Sequence, residues 1–391
     1  MTVRGSASDE VEKVYLPALE MCEQQNASLQ LFKVLWSLRL FYMYRGEMQA
    51  ARVIAERLPG QAADLNDPAI RVEAHRALGS TLLGAGEYTA ALEQFERSAD
   101  LYQPLHQDSY FLIHGNDAKV MSLCFEALIL WSLGYPDRSI VRLREALSVA
   151  KETAHTQSIV VALYLAARIH QLRREPVAAK RFAEEAIALA NEHGLSTWAT
   201  LCSIYSGWAN AEQGDTERGI EQMRMALEEY RSTGAKLWQG HFLGILAEEL
   251  SRADRIEEGI NVISEALALM RETEERFFDA ELHRINGDLL MAQIEQQRNF
   301  SSEAFSAAEK CFKHALELAR LQKTKSWELR AAMSVLRLHI KQKKRSDART
   351  LLAGVYDWFN EGYDTVDLIE ARLLLGESVD PNSWSAKATE S

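Results

Sequence analysis

Four short stretches hold residue types that do chemistry. Gly84-Ala-Gly86 is a GxG, the kind of turn that lets backbone amides approach a phosphate. His114 to Asp117 and Glu192-His193 set imidazole beside carboxylate, the combination used in general acid–base transfer. Lys341, Lys343, Lys344 and Arg345 form a basic run that could take an anion. None of the four is completed. The GxG closes a helical pattern instead of following a strand, the His–carboxylate pairs fall at turns with no nucleophile in register, and the basic run sits at a helix end, where it complements the terminal carbonyls. Cys22, Cys124, Cys202 and Cys311 contain no CxxC pair and have no histidine at ligand spacing, so they read as buried small residues in a reducing compartment. No catalytic set, metal set or cofactor is expected, and the chain reads as a binder.

What would position binding residues is a repeat. Residues that open a tight turn recur at Gly46, Gly86, Gly134, Arg174, Gly214, Asp254, Glu303 and Lys343, at intervals of 40, 48, 40, 40, 40, 49 and 40 residues. Five positions after an anchor stand Ala51, Ala91, Ala179, Gly219, Gly259, Ala308 and Ala348, small enough for two helices to touch. Each 40-residue unit reads as two amphipathic helices joined by short turns, and stacked units make a solenoid. The small-residue offsets coincide with the tetratricopeptide consensus, best at Leu78-Gly79, Gly86, Ala91 and Phe95. The expected fold is all-α, a right-handed superhelical solenoid of about eight such pairs, each helix somewhat longer than in the 34-residue form.

One domain is expected over 9–376, between a disordered start at 1–8 and a disordered tail at 377–391. Within it, 9–25 reads as the second helix of a repeat lacking its first, and the two long intervals read as loop insertions near 101–117 and 291–302. The formal net charge of -12 argues against nucleic acid. No apolar run suits a signal peptide or a membrane span, so the chain is expected in the cytoplasm.

Several stretches carry a resemblance beyond the generic repeat: LGYPDRSIVRLREAL, HQLRREPVAAKRFAEEAIALA, EQGDTERGIEQMRMAL, AELHRINGDLLMAQ, KSWELRAAMSVLRL and YDWFNEGYDTVDL. From about Val11 to Leu375 the chain resembles the C-terminal tetratricopeptide region of bacterial multidomain signalling proteins, in which a class III adenylate or guanylate cyclase or another effector precedes a STAND-type ATPase. No GxxxxGK[ST] loop is present, so the resemblance implies no nucleotide chemistry in this chain. It implies a regulatory arm that acts on an ATPase or cyclase module.

In tetratricopeptide arrays the first helix of each pair lines a groove. Transferring those positions through the anchors selects Trp36, Tyr44, Trp131, Tyr164, Arg168, Trp208, His241, Glu248, Arg284, Asp288 and Arg337 as a ligand or partner groove, with Met43, Cys124, Leu128 and Arg330 beside them. Aromatics fall in the N-terminal half and charges in the C-terminal half. For each of Trp36, Trp131, Tyr164 and Trp208 the plainer reading is packing between neighbouring repeats, since core aromatics outnumber ligand anchors. The expected function is a scaffold or sensor arm for a protein or peptide, and the alternative is a small-molecule sensor that stacks its ligand on the aromatic groove.

Overall fold

A computed structural model describes residues 7, 9–25, 28–104, 115–344 and 346–376. Apart from Ala7, the expected disordered ends, most of the first insertion with His114, and Arg345 lie outside the described residues.

Among the described residues there are eighteen helices and no strand. Helix α1 (Asp9–Gln24) precedes eight pairs: α2 (Ser28–Arg45) with α3 (Met48–Leu65), α4 (Pro68–Gly84) with α5 (Tyr88–Leu101), α6 (Ala118–Leu133) with α7 (Pro136–Thr153), and α8 (Thr156–Leu172) with α9 (Pro176–Glu192). The second half continues with α10 (Ser196–Glu212) and α11 (Thr216–Ser232), α12 (Gln239–Arg252) and α13 (Ile256–Thr273), α14 (Asp279–Gln297) and α15 (Ser302–Leu321), and α16 (Lys325–Lys341) and α17 (Ser346–Tyr356). Helix α18 (Val366–Leu374) follows.

Local chemistry sets these bounds. Asp117 accepts from the amides of Lys119 and Val120 at 2.9 and 3.0 Å and so caps α6. Proline opens α4, α7 and α9, where its missing N–H costs nothing. Most helices end on a left-handed residue, which satisfies the last carbonyls. The first helix of each pair is buried on nearly all sides, while the second buries one stripe, as Ala179, Ala183, Ala186 and Ala190 do in α9. Pair contact is closest where both helices carry glycine: a Cβ at Gly207 of α10 would lie 2.8 Å from the Gly219 carbonyl oxygen of α11.

The seventh pair departs from the expectation. Its left-handed turn residue is Arg298, and Glu303 lies in the first turn of α15. Most of 291–302 is therefore helix and not an inserted loop: the excess residues lengthen α14 and α15 to 19 and 20 residues. Counted by turn residue, the last two intervals become 44 and 45.

The solenoid also closes on itself. The hairpin turns of the first four pairs dock on the second half in strict order, the first three on or beside connections and the fourth on α18. The amide of Lys236 donates to the Tyr44 carbonyl at 2.6 Å, and that of Arg276 to the Gly84 carbonyl at 2.7 Å. Ser326 donates to the Trp131 carbonyl, Glu361 accepts from the amides of Asp137 and Arg138, and Arg174 reaches Asp367 and Glu370 at 3.2 and 2.7 Å. At Gly134 glycine is required twice, by its φ of +97° and by the seam, since a Cβ would lie 2.7 Å from both Lys325 and Trp358. Elsewhere the turn opens to solvent and Asp254 or Lys343 takes the same left-handed conformation.

Candidate functional site

Closure places the expected groove inside the molecule. Trp36, Trp131, Tyr164, Arg168 and His241 are buried within the packed interior and line neither of two cavities that the other groove residues border. This corrects the expectation of one open groove: turns docked across the seam bring the inner faces of both halves into contact, and the side chains meet there. Trp131 packs edge-on against Trp327, with ring centroids 4.7 Å apart. Tyr164 contacts Trp198, Tyr205 and Trp238, and His241 lies edge-on to Phe278 at 4.3 Å. Burial holds the His241 imidazole well below its ordinary pKa, and the Arg168 charge adds to this. The remaining six residues border two separate cavities.

The first cavity, of about 160 Å³, takes in Trp208, Glu248, Arg284, Asp288 and Arg337. Its wall alternates arginine and carboxylate, and the charges are matched to each other. Arg284 donates to Glu281 at 2.7 and 2.8 Å and to Glu248 at 3.1 Å, and also pairs with Asp288. Arg330 donates to Asp367 at 2.8 Å, to Glu281 at 3.0 Å and to the Leu172 carbonyl. Burial by itself would raise Asp367 and Glu281, but the guanidiniums beside them outweigh it and hold both below the usual carboxylate range. For Asp288 burial outweighs Arg284 and Arg337, and its pKa rises. The C-terminal charges that were expected to face a ligand are thus committed to a network that ties α8, α14, α16 and α18 together.

The second cavity, of about 270 Å³, is mostly apolar and is walled from both sides of the seam. Leu40, Met43 and Tyr44 of α2, Ser80 of α4 and Phe125 of α6 face Trp198, Tyr230, Leu237 and Trp238 of the later repeats. Arg39 and Arg76 stand at its polar end. Arg39 donates to the Ala77 carbonyl at 3.1 Å and to Ser80 at 2.7 Å, and burial lowers its pKa to about 9. Tyr44 is the one residue of the expected groove that lines this cavity.

Sequence reasoning missed Trp198 and Trp238. They stand 40 residues apart, in phase with the repeat, which is the signal that could have found them. Of the other candidates, Asp117 is a helix cap, Gly86 is a seam turn and His193 ends α9. Among the described residues no three His, Cys, Asp or Glu side chains gather as a metal site, and no helix is long and apolar enough to cross a membrane.

No family model matches the chain. An uncharacterized protein of Rhizobium meliloti (strain 1021), R02095, is 24% identical over 348 residues, covering 86% of this chain; the chain spans about a third (32%) of that relative's length. Among solved structures, a Rap protein complexed with Competence and Sporulation Factor aligns over 80% of this chain and 94% of its own, with a TM-score of 0.53 and 13% identity. The Rap conjugation gene regulator of the plasmid pLS20, in complex with the Phr* peptide, covers 83% of this chain and 94% of its own, with a TM-score of 0.54 and 11% identity. These likenesses place the chain among tetratricopeptide-like helical solenoids.

Proposed function

We propose that the chain is a non-enzymatic sensor module that binds a small ligand in the 270 Å³ cavity and converts occupancy into closure of the superhelix. The observation that carries this reading is the cavity's construction: its walls come from the first three pairs and from the α9–α10 and α11–α12 connections, and the seam holds the last of these against the first pair. A ligand there touches both sides and stabilises the closed form over any opened one. The gain is about 1.4 kcal/mol for each tenfold excess over Kd. The relay would act on an ATPase or cyclase-type effector, as the sequence resemblance implies, and the Rhizobium relative's additional length leaves room for such a module in that protein.

A thermal-shift screen of small metabolites and short peptides tests this. Hits should raise the melting temperature of the wild-type chain, and Leu40→Trp, which fills the cavity from α2, should abolish the shift. Hits that stabilise both proteins equally would place the site elsewhere, and ATP hydrolysis by the pure chain would contradict the non-enzymatic assignment.

A second reading, a peptide-binding scaffold, draws support from the two Rap structures, which hold a factor and a peptide. The closed interior has room for one or two side chains of such a peptide, so in the same screen this reading expects hits among peptides only.

A further inference from the structure

Arg168 of α8 is fully buried, and none of its three guanidinium nitrogens has a hydrogen-bond partner. It packs over the rings of Trp238 and Phe277, 4.8 and 4.6 Å from their centroids. Around it both ring nitrogens of His241 are likewise buried without a partner, and the buried hydroxyls of Tyr164 and Tyr205 interact with each other. Glu275 acts on Arg168 through space, yet its carboxylate accepts from the Trp238 amide at 3.0 Å and makes no ion pair with Arg168.

A guanidinium buried in an apolar interior with none of its N–H groups bonded is among the costliest groups a protein can bury. Rings pack against its faces, and all its N–H donors lie in its plane, so the donors point outward at the edge. A carboxylate is the group whose two oxygens match that edge. Glu275 answers this charge only through space and leaves the N–H edge without an acceptor, which a single carboxylate would supply, whereas a phosphate dianion would leave excess negative charge.

Trp238 connects this cluster to the cavity. It lines the cavity and it packs on Arg168. Its backbone is left-handed, with φ 62°, a conformation that strains a bulky side chain and that is found where a residue must serve a local purpose. The cavity itself exceeds the roughly 150 Å³ known to take a benzene ring in an engineered protein, so an apolar body larger than benzene fits.

We propose that the cavity takes a small apolar monocarboxylate, whose carboxylate pairs with Arg168 when the Trp238 ring turns aside. This deepens the sensor reading and rests on it: the apolar body occupies the cavity between Tyr44, Phe125 and Trp198, and the acid group selects the ligand.

The test compares 3-phenylpropionate with its uncharged amide by isothermal titration on the wild-type chain and on Arg168→Met. The wild type should bind the acid about tenfold or more tighter than the amide, as a charge-assisted pair in a dry site would give. In Arg168→Met that preference should fall to about one while the amide still binds, and the variant should melt at or above the wild-type temperature because a buried charge has been removed. Equal affinity of the wild type for acid and amide, or a preference that survives in Arg168→Met, overturns the carboxylate assignment and leaves the cavity reading standing. Binding of neither probe at millimolar concentration sinks both. If Arg168→Met does not fold, the acid–amide comparison on the wild type decides by itself.

Discussion

Replacing Arg330 by alanine is expected to destabilise the folded chain by about 3–5 kcal/mol, measured as a lowered denaturation midpoint in urea. Arg330 is buried between Trp131 and Trp327, 5.2 Å from each ring centroid, and binds Asp367, Glu281 and the Leu172 carbonyl. Those partners belong to α18, α14 and α8, so one side chain joins both halves of the superhelix. Its removal strands two buried carboxylates against weaker support. Glu281 keeps Arg284 and Asp367 keeps Arg174, which is why the loss stays within that range. Arg330→Lys should recover only part of it, because an ammonium cannot span three acceptors in one plane. A loss below about 1 kcal/mol for Arg330→Ala would show that the seam does not depend on this residue.

Stability should also fall as pH rises from about 6.5 to 8, the reverse of what an acidic surface alone suggests. Burial lifts Glu275 to about 7 from an ordinary 4.5, despite the Trp238 amide and Arg168. Burial likewise lifts Glu126 to about 7, despite the Arg142 guanidinium 3.0 Å away. Between the two values the folded chain holds protons that the unfolded chain has released. For these groups unfolding releases protons, and each lowers stability by up to about 1.4 kcal/mol per pH unit; burial lifts Glu249 further, to about 8, so the decline levels off only above that. Glu281 and Asp367 act in the opposite sense. Their folded pKa values are depressed, so their contribution is complete above the unfolded carboxylate range and is lost as pH falls below it. His241 and His283, kept neutral by burial, act in that sense too: below about 6.5 the unfolded histidines take up protons, which offsets the carboxylate gain and puts the optimum just on the acid side of neutrality. Glu275→Gln keeps the acceptor for the Trp238 amide and removes the titration, so at pH 8 it should stabilise the chain by about 2–3 kcal/mol. Denaturation across pH for both proteins checks this, and an unchanged slope would refute it.

The helix pairs were legible because their signals are local. Gly86, Gly134 and Gly214 mark left-handed turns, and Ala91, Ala179 and Gly219 mark the contact between partners five positions later. Glu303 failed as a marker because lengthening a helix preserves the amphipathic pattern on both sides of the turn, so spacing cannot say whether extra residues form loop or helix. The seam was not legible at all. Lys236 to Tyr44 and Arg276 to Gly84 are backbone contacts between residues some 190 positions apart, and nothing in a repeat frame encodes how tightly it coils. For the same reason the inward positions were identified correctly as inward, while their fate was not: whether Trp131 or Tyr164 meets solvent or another repeat depends on the coil. Of the expected groove residues, Tyr44, Trp208 and the Arg284 group lie where the inner faces leave space.

The closed seam underlies both the cavity and the buried arginine, and residue-resolved hydrogen exchange on the amides of Lys236 and Arg276 tests it most directly. Both belong to connections between helices and have acceptors only across the seam. A closed superhelix predicts that they exchange as slowly as amides inside α8 and α10, through opening of the whole structure. Exchange at the rate of a free turn, with those helices still protected, would mean an open solenoid and would contradict the account.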